Sequence, residues 1–261
     1  MPAGSHQIAL NLLGSAFLVG TDDPVTAAEI SRLWHPFLQT EAAESAQAVT
    51  VDGATTSDRL GQFATTLNAT ALDAAPTLAI HAGVVARHGV AIAMPASSGV
   101  GKSTLTAACI RRGFDYLSDE ALCLSYQDGS VVGYPRPIAL SAWSVTAVHA
   151  CAVGVPVGDE SLFTADDLGA RNHLGAARLG HVVMLDRAGD PRSAPSLTRA
   201  SRPDAVTLLL RLSFNHYRRP ADAVRLAADV VRAADVWRLR YGDPLDAADL
   251  LCSKLADGPQ T

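Results

Sequence analysis

Apolar residues along this chain form short runs typical of strands, separated by segments in which they recur with helical spacing. The sharpest run is residues 77–95, TLAIHAGVVARHGVAIAMP, where two apolar stretches flank His88 and Gly89. Such stretches on either side of a Gly-containing pair predict two β-strands joined by a tight turn. Residues 7–20 are also rich in strand formers, and Gly14-Ser15 predicts a turn between two short strands.

Helix and strand patterns alternate through the rest of the chain. Helical spacing is seen in DPVTAAEISRLWHPFL (23–38, ended by Pro36), DRLGQFATTLNATALDAA (58–75), KSTLTAACIRRG (102–113), ADAVRLAADVVRAAD (221–235) and DPLDAADLLCSKLAD (243–257). Further strands are predicted in AQAVTVDGATT (46–56), GHVVMLDRAGD (180–190) and VWRLRYG (236–242), and two more around the Asp-Gly turn of DYLSDEALCLSYQDGSVVGY (115–134). This order of elements predicts an α/β fold.

Composition narrows the class of protein. Apolar residues make up 48% of 261 positions, which is enough to build a sizeable core. The formal net charge of −5 and the lack of a basic run argue against nucleic acid or an anionic membrane as a partner. The apolar stretch 8–20 is too short to span a bilayer. The four cysteines show no CxxC pair and sit in apolar segments, which predicts buried, reduced thiols in a cytoplasmic protein.

The clearest chemistry lies in residues 96–103, ASSGVGKS, which fit a nucleotide-binding loop with Ala96 in place of the usual first glycine. Small residues let backbone N–H groups turn towards phosphate oxygens, and the following helix presents its N-terminus to the same anion. The residues expected to contact nucleotide are Ser98, Gly99, Val100, Gly101, Lys102, Ser103 and Thr104.

Two side chains of this loop have specific predicted roles. Lys102, one of only two lysines in the chain, would reach the β- and γ-phosphates, and the Ser103 hydroxyl would bind Mg²⁺. The segment follows an apolar strand and opens a helix, which is the context such a loop needs. The competing interpretation is a Gly/Ser turn before an ordinary amphipathic helix.

Asp119 and Glu120 follow Lys102 by one helix and lie where FDYL ends as a strand. A carboxylate at that strand end would face the loop, where it could hold Mg²⁺ or accept the proton of an attacking hydroxyl. Asp119 is the predicted metal ligand. A solvated acidic turn is the alternative.

Two further side chains are candidates for the same site. His81 lies on the strand that enters the predicted hairpin, and the competing interpretation is a satisfied core histidine. Arg136 stands between two prolines in YPRPI, which would fix its backbone and place a guanidinium suited to phosphate. The competing interpretation of Arg136 is a solvated residue on a rigid surface turn. His216 in SFNHYRRP is a weaker candidate.

These elements together resemble the bacterial HPr kinase/phosphorylase family and its shorter HPr-kinase-related members. The resemblance rests on HAGVV at His81, SSGVGKST, RRGFDYLSDEALCL and YPRPIALS, and covers residues 77–140 well. It implies that Lys102 and Ser103 bind ATP phosphates and Mg²⁺. It also implies that Asp119 and Glu120 supply the metal contact and the general base, with His81 assisting.

The chain departs from the family in three places. The second acid is Glu120 where the family usually has Asp, and no EIRGLGI-like segment follows the acid pair. Residues 1–72 also differ from the family's regulatory domain. The resemblance is therefore closer to kinases that phosphorylate lasso-peptide precursors on a serine, and HPr is not the favoured substrate. The family forms oligomers, so the resemblance implies self-association without fixing a number.

The sequence thus predicts a P-loop kinase core of the HPr-kinase type, with a mixed sheet and flanking helices, over residues 73–261, preceded by a small α/β segment over residues 1–72. The expected reaction is Mg²⁺–ATP-dependent transfer to a hydroxyl, with a serine of a peptide or protein as acceptor. Two alternatives stay open: a kinase acting on a small-molecule alcohol, of the shikimate-kinase type, and a nucleotide-binding regulator without transfer.

Overall fold

A computed structural model describes residues 4–172 and 175–255. The N-terminal part forms its own sheet, in which β1 (His6–Leu12) pairs antiparallel with β2 (Ser15–Thr21), and β2 pairs parallel with β3 (Gln47–Thr50). α1 (Pro24–Leu33) and α2 (Thr56–Ala74) pack against this sheet and each other. The predicted hairpin and both helices are confirmed, and α1 ends before Pro36.

The remaining elements include the predicted strands and helices together with further ones, within residues 138–163 and 196–211, that the sequence did not predict. In chain order they are β4 (Leu78–Arg87), β5 (Val90–Pro95), α3 (Lys102–Arg111), β6 (Asp115–Ser118), β7 (Ala121–Leu124), β8 (Val131–Val132), β9 (Ile138–Ser141), α4 (Ala142–Ala147), β10 (Val155–Val157), β11 (Glu160–Phe163), β12 (Ala176–Arg187), β13 (Ser196–Arg199), α5 (Arg202–Arg211), α6 (Pro220–Ala233), β14 (Asp235–Tyr241) and α7 (Pro244–Leu255).

The main sheet has the order β13-β14-β12-β5-β4-β7-β8, with β6 beside β7 on the same edge of β4. β12 runs parallel to β5 and β14, whereas β4 is antiparallel to β5, β6 and β7. The sheet is therefore mixed, as predicted. β9, β10 and β11 form a separate antiparallel sheet.

One strand prediction needs correction. The strand predicted to end before Asp119 is confirmed as β6, but segment 115–134 holds three strands rather than two, because the chain bends at Asp119-Glu120 between β6 and β7. Ser118 stabilises this bend: its hydroxyl accepts hydrogen bonds from the backbone N–H groups of Glu120 (3.1 Å) and Ala121 (2.9 Å). The Asp128-Gly129 turn joins β7 to β8 as expected.

Helices cover both faces of the main sheet. Because side chains alternate along a strand, neighbouring residues of β4 and β5 belong to different cores. Val85, Ile92 and Met94 belong to the core formed with α3 and α7, whereas Val84 and Ala93 belong to the core formed with α5 and α6. The predicted mixed sheet with flanking helices is confirmed; its narrower assignment to an HPr-kinase core stays a prediction.

Among the described residues, none of the helices combines the length and apolarity needed to cross a bilayer. Cys151, expected to be buried, is exposed in the loop after α4.

Asn215 connects the N-terminal part to the main sheet. It is 2% exposed; its side-chain oxygen accepts from Ala79 N–H (3.1 Å), and its NH₂ group donates to the carbonyls of Leu72 (3.2 Å), Ala75 (3.3 Å) and Thr77 (2.9 Å). The end of α2 is thereby fixed to the start of β4. The predicted boundary between residues 72 and 73 lies in this last turn of α2, and the division into two domains stays a prediction.

Candidate functional site

The loop predicted to bind phosphate, residues 96–103 and called the phosphate loop below, lies between β5 and α3. Gly99 (φ 81°) and Gly101 (φ 102°) adopt left-handed backbone conformations that L side chains resist, which explains glycine at both positions. Gly101 is also the N-cap residue of α3, so the first N–H groups of the helix border the loop. The backbone is thus shaped for an anion at the start of α3.

Lys102 is folded into this loop. The residue is 6% exposed, and its Nζ donates a hydrogen bond to the Ser97 carbonyl at 3.0 Å. Burial lowers the pKa of Lys102, while the carboxylates of Glu120 and Asp119 act in the opposite direction. The ammonium therefore contacts the loop backbone and shares its cavity with both predicted acids.

Asp119 sits at the bend after β6 and is 3% exposed. The Tyr116 hydroxyl lies 3.1 Å from its Oδ1 and 2.9 Å from the Arg136 carbonyl oxygen. Burial raises the pKa of Asp119, and the Glu120 charge adds to this effect; Arg136 and the hydroxyls of Ser103 and Tyr116 oppose it. Asp119 is therefore a buried carboxyl next to the Ser103 hydroxyl.

Glu120 points to a different set of partners. Its Oε2 accepts a hydrogen bond from Arg136 Nη1 at 2.7 Å, and its Oε1 lies 3.9 Å from His81 Nε2. The Arg136 side chain is 14% exposed, so its interpretation as a solvated surface residue is wrong. Burial acts to lower the pKa of Arg136, but Asp119 and Glu120 outweigh it and raise that pKa. Burial and the charge of Lys102 lower the pKa of His81, with Glu120 opposing and Arg136 adding to the fall.

One cavity of about 390 Å³ collects these groups. Of the predicted site residues, Val100 is not among those that line it; the Val100 carbonyl instead lies 3.5 Å from the Tyr241 hydroxyl. The residues that do line it are His81, Ser98, Gly99, Gly101, Lys102, Ser103, Thr104, Asp119, Glu120 and Arg136. His216 is exposed and is not one of the lining residues.

Six residues that sequence reasoning missed also line the cavity, among them Arg187 and Trp143. Arg187, at the end of β12, lines the cavity, and its Nη1 lies 3.5 Å from the place where a Cβ on Gly101 would be. Its guanidinium carbon is 4.7 Å from the centre of the Trp143 ring, which lines the cavity from α4. An arginine at the end of the buried segment GHVVMLDR was the available signal, because parallel strands β5 and β12 end at one edge of the sheet.

The donor set of the cavity fits Mg²⁺. Ser103 and Asp119 offer oxygen ligands, the type that this ion prefers. Within residues 4–172 and 175–255, no group of three or more His, Cys, Asp and Glu side chains could hold a metal ion by itself. Magnesium in nucleotide sites needs only one or two protein ligands, since phosphate oxygens and water complete its shell.

Comparisons with known proteins do not identify a family for this chain. No protein-family model and no curated protein matches the chain. Among solved structures, the chain is similar to the HPr(Ser) kinase/phosphatase from Coxiella burnetii, with a TM-score of 0.35 and 12% identity over 67% of this chain and 88% of that chain. Similarity of this size does not establish a shared fold, and the family resemblance stays a prediction.

Proposed function

We propose that this protein is a Mg²⁺–ATP-dependent kinase that transfers the γ-phosphoryl group to a hydroxyl. One observation carries the proposal: a glycine loop with Lys102 and Ser103 shares a single cavity with two adjacent carboxylates, Asp119 and Glu120. Phosphoryl transfer needs this combination, because its catalysis comes mainly from positioning and charge neutralisation.

The loop side of the cavity holds the donor phosphates. Backbone N–H groups at Gly99, Gly101 and the start of α3 bind phosphate oxygens, and Lys102 exchanges its Ser97 partner for the β- and γ-phosphates. Arg187 adds a second cation beside Gly101. Ser103 and Asp119 hold Mg²⁺, which when bound neutralises phosphate charge and fixes the phosphate orientation.

The other side of the cavity prepares the acceptor. Glu120 is the proposed base, because Arg136 occupies Oε2 and leaves Oε1 to accept the proton of the acceptor hydroxyl. The hydroxyl oxygen forms a bond to the γ-phosphorus as the bond from that phosphorus to the β–γ bridging oxygen breaks. ADP leaves with the bond's electron pair, and the proton of the acceptor hydroxyl passes to Glu120 Oε1. His81 Nε2 lies 3.9 Å from that oxygen, beyond direct hydrogen-bond distance, and its proposed role is to assist the base from beside it.

A serine of a peptide or protein is the acceptor that we favour. A small-molecule alcohol and a regulator that binds ATP without transfer are the competing functions, and the experiment below separates them.

The test is incubation of the protein with γ-labelled ATP and Mg²⁺ in a lysate, followed by separation of proteins, peptides and small molecules. Lys102→Ala removes the phosphate contact, and Lys254→Ala, which changes the other lysine at an exposed position of α7, is the matched control. We expect label in the peptide or protein fraction with the wild type and Lys254→Ala only. Label in a small molecule would favour an alcohol kinase. ATP binding without transfer would favour the regulator.

A further inference from the structure

A second cavity of about 390 Å³ adjoins the first, and Glu120 and Arg136 line both. One wall is α2, from Ala64 to Asp73, and Phe214 lines the other side. We call this cavity the α2 groove. No residue of the phosphate loop lines it, so the Glu120–Arg136 pair lies between the loop and the groove.

The α2 groove is elongated. Its helical wall consists of residue pairs 64–65, 68–69 and 72–73, which recur every four residues and so form one face of α2. At a rise of about 1.5 Å per residue, this face is roughly 13 Å long. About four residues of an extended peptide, at about 3.3 Å each, cover that length.

The walls of the groove suit a peptide backbone and small side chains. Ala64 and Ala69 leave room close to the helix, while half-buried Phe214 provides apolar contact. Asn68 Oδ1 accepts a hydrogen bond from the Tyr134 hydroxyl at 3.0 Å, which leaves the Asn68 NH₂ group to donate to a backbone carbonyl. A small alcohol reacting at Glu120 would use little of this surface.

We propose that the α2 groove binds the acceptor as an extended peptide segment, whose serine hydroxyl reaches Glu120 from the side away from the phosphate loop. The proposal rests on the proposed kinase function and adds the acceptor class and its site. The N-terminal part of the chain thereby supplies acceptor specificity, and the loop and β6–β7 bend supply phosphate transfer.

Two adjacent threonines on α2 give a matched test. Thr65 lines the groove and Thr66 does not, both are exposed, and the Thr65 hydroxyl donates only to the Gly61 carbonyl of its own helix (2.9 Å). Thr65→Trp should fill the groove, and Thr66→Trp places the same side chain about 100° around the helix. The probes are a degenerate synthetic peptide library with one fixed central serine, and N-acetylserine amide as a small alcohol.

We expect label transfer from ATP to the library to fall at least tenfold in Thr65→Trp through a higher KM, and to be unchanged in Thr66→Trp. Equal transfer by both variants would refute the proposal that the groove binds the acceptor. Phosphorylation of N-acetylserine amide as efficient as that of the library would refute it too. ATP affinity, measured for each variant, reports separately on the phosphate loop.

A second measurement serves if the wild type transfers no phosphate, an outcome that counts against the kinase function itself. The same library carrying a benzophenone group is photo-cross-linked to the protein, and the attachment sites are mapped by mass spectrometry. Cross-links within residues 64–73 that are lost in Thr65→Trp and kept in Thr66→Trp support the groove. Cross-links elsewhere, or unaffected by Thr65→Trp, refute it.

Discussion

Gly83 on β4 lets α3, the helix that follows the phosphate loop, pack directly on the sheet. A Cβ at this position would meet Thr106 Oγ1 on α3 at 2.4 Å and the Lys102 carbonyl oxygen at 3.6 Å, where ordinary contacts are 3.4–4 Å. Thr106 is fully buried, and its hydroxyl has no hydrogen-bond partner among the described residues. Gly83→Ala must therefore shift Thr106 and strain α3 one turn after Lys102.

The cost follows from two opposing effects. Overpacking a core by one methyl group costs roughly 1–3 kcal/mol, and replacing glycine by alanine returns about 0.4–1 kcal/mol by restricting the unfolded chain. The net loss is about 1–2 kcal/mol, or a fall in Tm of roughly 2–8 °C at about 2–4 °C per kcal/mol. ATP affinity should fall as well, since the first turn of α3 moves.

A double-mutant cycle tests this account by thermal unfolding of the wild type, Gly83→Ala, Thr106→Ala and the double variant. Thr106→Ala removes the clashing hydroxyl, so we expect Gly83→Ala to be nearly neutral in that background, with a coupling energy of about 1–2 kcal/mol. An equal loss of stability in both backgrounds would show that Thr106 is not what Gly83 accommodates.

Three further predictions concern the site and its support. Asp119→Asn should abolish transfer yet raise Tm at pH 7. Burial raises the pKa of Asp119, so ionising this carboxyl destabilises the folded wild type. The higher Tm of the variant should disappear as pH falls to about 4 and below, where unfolded Asp is also protonated. A Tm gain independent of pH would contradict this. Asn215→Ala should destabilise by about 3 kcal/mol in urea unfolding, since the amide oxygen and two N–H groups make three full hydrogen bonds worth about 1 kcal/mol each. His216→Ala, at an exposed neighbour, is the control and should change little. Arg187→Ala should weaken ATP binding by roughly tenfold, about 1.4 kcal/mol, in calorimetry, and unchanged affinity would remove Arg187 from the phosphate site.

Local patterns in the sequence were enough to predict most elements and the loop. The His88-Gly89 hairpin, the glycines of the loop and the opening of α3 at Lys102 all depend on residues close in sequence. Such features are set by backbone preferences and short-range spacing, which a sequence displays directly.

The sequence did not reveal what depends on distant pairing. Arg187 reaches the loop only because β12 pairs with β5, and Glu120 borders two cavities only because α2 folds against the bend after β6. The motif SFNHYRRP drew attention to His216, whereas the structure gives the central position to Asn215, because three backbone carbonyls converge on it from segment 72–77.

The parallel pairing of β5 with β12 has a consequence for how this protein folds. The β4–β5 hairpin closes over two residues, but β12 must find β5 after the whole of residues 96–175, so its pairing carries a large loop-closure entropy. We expect the β4–β5 hairpin to form early. The pairing of β12 with β5, which brings Arg187 to the phosphate loop, should form late, after the rate-limiting barrier. ATP would then slow unfolding while leaving the folding rate almost unchanged, so bound nucleotide would lengthen the lifetime of the native state rather than guide the chain into it.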